Sequence, residues 1–175
     1  SARLWGKAGQ RSQERSALVE AAEQLGQALA QIATLSSTSD LRREQIILQV
    51  ALLNTLMHVK GYGAPETKAA VAQVRALIEQ AERLGEPPDD PSLILSALFG
   101  QWIVNFINFN GDVARELAAR FLTLGEKEGT AVPLMIGHRT MASTLAFMGD
   151  IVEAKAHYNE ALALYRPAEH RRLMT

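Results

Sequence analysis

Residues 142–167 read Ala142-Ser143-Thr144-Leu145-Ala146-Phe147-Met148-Gly149-Asp150-Ile151-Val152-Glu153-Ala154-Lys155-Ala156-His157-Tyr158-Asn159-Glu160-Ala161-Leu162-Ala163-Leu164-Tyr165-Arg166-Pro167. Apolar residues recur at steps of three and four on both sides of Gly149-Asp150, the spacing of one helix face, and the Gly-Asp pair interrupts them as a turn would. The small Ala142 stands seven residues before Gly149, and Ala154, Tyr158, Ala161, Leu162 and Pro167 follow it. Small side chains let two helices approach closely, while larger ones fill the space between successive pairs. The stretch therefore predicts a helix, a tight turn and a second helix folded back on the first, with Ala154, Tyr158 and Ala161 buried.

The same order of residues recurs upstream. Trp5, Ala8 and Gly9 form a W-x2-L-G element with Ala in place of Leu, and Ala21, Leu25, Ala28 and Leu29 follow. Ala70, Val74, Leu77 and Ile78 occupy the corresponding places in a second unit; Gly100 and then Ala114, Ala118, Phe121 and Leu122 occupy them in a third. These residues resemble the tetratricopeptide pattern of small residue, turn glycine, Ala, aromatic, Ala, Leu and Pro. The anchor alanines Ala21, Ala70, Ala114 and Ala154 lie 49, 44 and 40 residues apart, wider than the usual period of about 34. The expected fold is all-α, a right-handed α-solenoid of about four tetratricopeptide-like antiparallel helix pairs.

Punctuation sets the helix limits. Breaks at 36–40, 61–65, 85–91, 110–112, 129–130, 149–150 and 166–167 leave helices of about 2–15, 17–35, 40–60, 65–84, 91–109, 111–128, 130–148 and 151–166, with another beginning near 168. The pairs are 2–35, 40–84, 91–128 and 130–166, in one repeat array over 1–175. Asp40 and Asp150 are expected as N-caps, Pro65 and Pro91 in first turns, and Gly61, Gly85 and Gly129 in left-handed conformations after helix ends. Phe99, Trp102, Phe106 and Phe109 follow helical steps and are expected in the core rather than at a cofactor or a base.

Composition narrows the function classes. The chain of 175 residues is 47% hydrophobic and 21% charged, the balance of a folded globular protein, and suffices for one domain or one array. Eighteen Lys and Arg against nineteen Asp and Glu leave a net charge of -1, so no overall positive field draws it to nucleic acid or anionic lipid. The absence of cysteine excludes disulfides, thiolate metal sites and a Cys nucleophile, and agrees with a cytoplasmic location. No apolar run approaches the roughly 18 residues of a membrane span, and Ser1-Ala2-Arg3-Leu4 does not open a signal peptide. The ending His170-Arg171-Arg172-Leu173-Met174-Thr175 begins a helical pattern without a cap, as expected of a fragment of a larger protein.

Gly61-Tyr62-Gly63-Ala64-Pro65-Glu66 after Ala51-Leu52-Leu53, then Ala114-Arg115-Glu116-Leu117-Ala118, then Tyr165-Arg166-Pro167-Ala168-Glu169-His170-Arg171, resemble in order and spacing the C-terminal tetratricopeptide region of bacterial multidomain signalling ATPases. Many of these carry a class III adenylate/guanylate cyclase domain. The resemblance runs from Trp5 to Arg171 and implies that nucleotide chemistry belongs to upstream domains. Gly111 departs from the pattern, lying only three residues before Ala114.

The chain itself carries no G-x-x-x-x-G-K-[ST] loop and no glycine-rich turn to cradle phosphate. His58, His138, His157 and His170 form no H-E-x-x-H motif, so structural or surface roles are expected and no metal or other cofactor is assigned. Ser143 and Thr144 near His138 lack the fixed base and acid that a nucleophile needs. Arg42-Arg43 and Arg171-Arg172 read as helix-end solvation and acid pairing, with no interleaved aromatics of a nucleic-acid site. Asn54 and His58, Gln101 and Asn105, and Arg139 and Ser143 each lie one turn apart on the first helices of three successive pairs. In tetratricopeptide arrays those helices line the concave groove, which makes these six the candidate binding residues, against the alternative of an ordinary solvated face.

The expected function is a non-catalytic protein-interaction and scaffolding segment of a bacterial signalling protein, linked to an adenylate cyclase or ATPase. Its partner would be a protein or peptide, including other domains of the same parent chain, with no direct nucleic-acid or membrane role. The alternative is a small-molecule-sensing regulatory domain of an ATPase-type transcription regulator.

Overall fold

The structure, a computed structural model, describes residues 4–9 and 17–166, all of whose regular elements are helices. A helical segment α1 at 4–9 precedes α2 (Leu18–Ile32), α3 (Ser39–Val59), α4 (Pro65–Arg83), α5 (Pro91–Ile107), α6 (Gly111–Glu128), α7 (Ala131–Met148) and α8 (Ile151–Leu164). The breaks fall where Gly, Pro and Asp clusters interrupt the apolar periodicity. The expected ninth helix near 168, and Pro167, His170 and Arg171-Arg172, lie outside the described residues. Two compact units divide the chain, Ser1–Val104 and Asn105–Thr175, with the division inside α5.

In the first unit α2 packs on α3 and α3 on α4. Leu25, Ala28, Ile32 and Leu48 form a buried cluster, flanked by Leu29, Leu41, Ala51 and Leu52. The buried Gly9 lies against Leu25, where an added Cβ would come within 2.8 Å of Cγ, and Gly6 lies similarly against Leu48. Glycine in α1 thus allows a close approach to α2 and α3. Gly100 of α5 does the same against Leu53 of α3 and Val71 of α4, at 2.9 and 3.1 Å.

In the second unit α6 packs on α7 and α7 on α8, each pair separated by only two residues, 129–130 and 149–150. Ala114, Ala118, Phe121, Ala142 and Leu145 are all wholly buried. The α6–α7 seam is reciprocal. A Cβ on Gly125 would meet the Leu134 backbone nitrogen at 2.7 Å, and one on Gly137 would meet that of Leu122 at 2.9 Å. Contacts pairing 125 with 134 and 122 with 137 require antiparallel helices.

The C-terminal ends of α4 to α7 share one device. An amide beyond each end bonds a carbonyl five residues back, Glu86 to Ala81, Asn110 to Asn105, Thr130 to Gly125 and Asp150 to Leu145, and the residue just before that amide is left-handed. Gly85, Gly129 and Gly149 fill that place, as does Phe109 at φ 61°. A bulky residue there is strained, because its Cβ crowds the backbone.

Four expectations need correction. The cap of α3 is Thr38, whose hydroxyl accepts from the Leu41 amide, and Asp40 falls in the first turn instead. Asp150 occupies the cap position of α8, yet its side chain makes no capping bond. Phe109 lies beyond the end of α5 with 74% of its surface exposed, rather than in the core. Tyr158 is 40% exposed, whereas Ala21, Ala154 and Ala161 are buried as expected. A long ring beside small alanines reaches across the face of the seam instead of entering it.

Candidate functional site

Three candidate residues belong to the first unit and three to the second. Asn54 and His58 occupy successive turns of α3; the exposed His58 ring places Nδ1 2.7 Å from the Asn54 carbonyl oxygen and donates to it. That bond orients the imidazole along its own helix. Gln101 is half-buried on α5. Elsewhere in this unit Arg42 grips Glu86 through two bonds of 2.9 Å and donates to Ser37 Oγ at 3.0 Å, tying the segment after α4 to α3. This is the acid pairing anticipated for one arginine of the doublet. A small recess beside it is lined by Ile46, Ile47, Pro88 and Leu93 under an acidic rim of Asp89 and Asp90.

In the second unit Asn105 is half-buried near the end of α5 and accepts from Asn110 Nδ2 at 3.1 Å, so its amide reinforces the helix end. Arg139 and Ser143 lie one turn apart on α7. Ser143 Oγ donates to the Arg139 carbonyl at 3.0 Å and lies 3.1 Å from Tyr158 Oη of α8. Ser143 is thereby joined to the neighbouring helix α8.

The same hairpin holds a pair that periodicity did not reveal. His138 of α7 and His157 of α8 bring their Nδ1 atoms to 2.9 Å, with ring centroids 5.1 Å apart. One ring donates an N–H and the other accepts. Burial holds His138 below the usual histidine value and the nearby His157 adds to that, while Glu160 and Glu126 pull the other way. The signal available in the sequence was only that both histidines flank the Gly149-Asp150 turn. Periodicity does not say which faces of two helices meet.

Aromatic rings form a second feature. Phe106 and Phe109 each lie against Phe147 of α7, with centroids 5.3 and 5.2 Å apart. Phe147 and Met148 are exposed, and with Gly111 they border a recess of about 210 Å³. Among the described residues no group of three or more His, Cys, Asp or Glu is placed to hold a metal ion. No helix among them is long and apolar enough to cross a membrane. Comparison with protein families, with characterised proteins and with solved structures finds no match to this chain.

Proposed function

We propose that this chain is a non-catalytic interaction and scaffolding segment, a tetratricopeptide-like α-solenoid of a cytoplasmic bacterial signalling protein whose cyclase or ATPase chemistry lies in other domains. One observation carries the reading. Ala21, Ala70, Ala114 and Ala154, the expected anchors, are 0%, 3%, 0% and 2% exposed, and each lies on the second helix of its pair. A small residue buried on the second helix of each expected pair is what such repeats would need in order to stack. Stacked repeats present side chains of their first helices to a partner, and Asn54, His58, Gln101, Asn105, Arg139 and Ser143 lie on α3, α5 and α7, as that reading requires.

The partner class is a protein or peptide, the parent's own domains included. Small-molecule sensing is the alternative reading; the recess beside Phe147, about 210 Å³, is below the roughly 300 Å³ at which drug-sized sites begin. The test is quantitative pull-down or titration against the separately purified domains of the parent protein. Replacing His58, Asn105 and Arg139 together by Ala should weaken binding by about tenfold or more while helical content, read by circular dichroism, stays unchanged. Unchanged affinity moves the contact surface elsewhere. Turnover of a nucleotide by the purified chain overturns the non-catalytic assignment.

A further inference from the structure

The α7–α8 seam holds together with little burial on one side. Ala154 and Ala161 are the buried residues of α8, whereas Ile151, Val152 and Leu162 are 62%, 88% and 69% exposed. Two polar contacts supplement these alanines, Ser143 with Tyr158 and His138 with His157. The histidine contact has a property the hydroxyl contact lacks. Two Nδ1 atoms at 2.9 Å have room for one hydrogen between them, and imidazole is the side chain whose charge changes near neutral pH.

We propose that the His138–His157 pair is a proton-sharing clasp that holds α8 on α7 at neutral pH and releases it on acidification. With both rings neutral, one Nδ1–H donates to the other Nδ1. A first added proton is accommodated, because the imidazolium still has a neutral acceptor opposite it. A second removes the last lone pair and sets two cationic N–H groups against each other, so the contact becomes repulsive and the rings must separate.

Glu160 on α8 and Glu126 on α6 face His138. Both carboxylates favour its protonated form and so oppose the effect of burial. Burial and the charge of His157 nonetheless keep His138 below the ordinary value of 6.5. At His138 the unfolded chain therefore binds more protons than the folded hairpin as the pH falls through 6.5. The clasp's contribution is fully present above that value and declines below it. Because α8 buries so few side chains, α8 is the element expected to open.

The test compares the wild-type chain with the His138→Gln/His157→Gln double variant in metal-free buffer, from pH 7.5 to 5. The wild-type thermal midpoint should fall by about 2–4 °C more than that of the double variant. Hydrogen exchange, corrected for the intrinsic effect of pH, should accelerate about tenfold more in 151–164 than in 111–128. Glu160→Gln should enlarge the loss, since it removes a charge that favours protonation in the folded state. Should the double variant fail to fold, nitrogen-detected NMR of the wild-type imidazoles decides: two coupled titration steps support the clasp, and independent ordinary titrations overturn it. Equal pH dependence in wild type and double variant overturns it too. So does a midpoint that responds to pH only after Zn2+ is added and loses the response with EDTA, which would make the pair metal ligands.

Discussion

Helix α7 packs along both α6 and α8, and it is held to them in different ways. Against α6 the backbones meet directly, with Gly125 under Leu134 and Gly137 under Leu122, so that no carbon can be added at either glycine without moving main chain. Against α8 the approach rests on Ala154 and Ala161, with histidine, serine and tyrosine side chains bridging the rim. The close backbone approach of the first seam rests on packing, and dispersion and burial do not titrate. The second contains groups whose protonation and hydrogen bonding respond to the medium. One helix thus joins a rigid hairpin to a conditional one, and ligand-responsive elements are generally drawn from the less stable parts of a fold.

This contrast can be broken most sharply at Gly137. Gly137→Ala places a methyl 2.8 Å from Leu122 Cδ2 and 2.9 Å from its backbone nitrogen. Main chain cannot swing aside as a flexible side chain can, so a loss of about 3 kcal/mol is expected, at the upper end of the usual overpacking cost. Chemical denaturation would read it, and a loss below about 1 kcal/mol would mean that the α6–α7 seam is looser than described. Enlarging the alanines of α8 should cost less. Ala154→Leu and Ala161→Leu are each expected to lose about 1–3 kcal/mol, with Ala154 the more sensitive because it is 2% exposed against 8% for Ala161. If both leucine variants keep the wild-type thermal midpoint, the assignment of these alanines to the seam fails. The smallest effect belongs to the hydroxyl bridge: Ser143→Ala should cost about 0.5 kcal/mol, since a half-exposed neutral hydrogen bond is replaced largely by water. A double-mutant cycle with Tyr158→Phe isolates it, and zero coupling would mean that the hydroxyl bridge contributes nothing to the seam.

Sequence reading fared differently at the level of helices and at the level of contacts. The ends of α4, α6 and α7 were legible because their determinants are local. Gly85, Gly129 and Gly149 adopt φ of 71°, 63° and 98°, conformations that glycine reaches without cost, and Pro65 begins α4 where no amide donor is needed. Phe109 escaped the same logic. Its helical spacing from Phe106 suggested core, but α5 ends at Ile107 and Phe109 takes the left-handed place that glycine fills elsewhere. Its ring meets Phe147, thirty-eight positions along the chain, and no local rule could have paired them.

The candidate site divides along the same line. Membership of Asn54, His58, Gln101, Asn105, Arg139 and Ser143 in helices α3, α5 and α7 followed from periodicity and turn positions, as did the burial of Ala21, Ala154 and Ala161. Their partners did not. That His58 bonds its own helix carbonyl, that Asn105 reinforces a helix end through Asn110, and that Ser143 reaches Tyr158 depend on rotamers and on the rotation of one helix about its axis relative to the next. Helix formation and termination are governed by residues within about four positions of one another, so the amino-acid order carries them directly. The facing of His138 and His157, and the direct backbone contact at Gly125 and Gly137, depend on how two helices rotate and slide until their surfaces fit. That choice is made collectively by every side chain in the seam, and it exists only once the tertiary structure has formed.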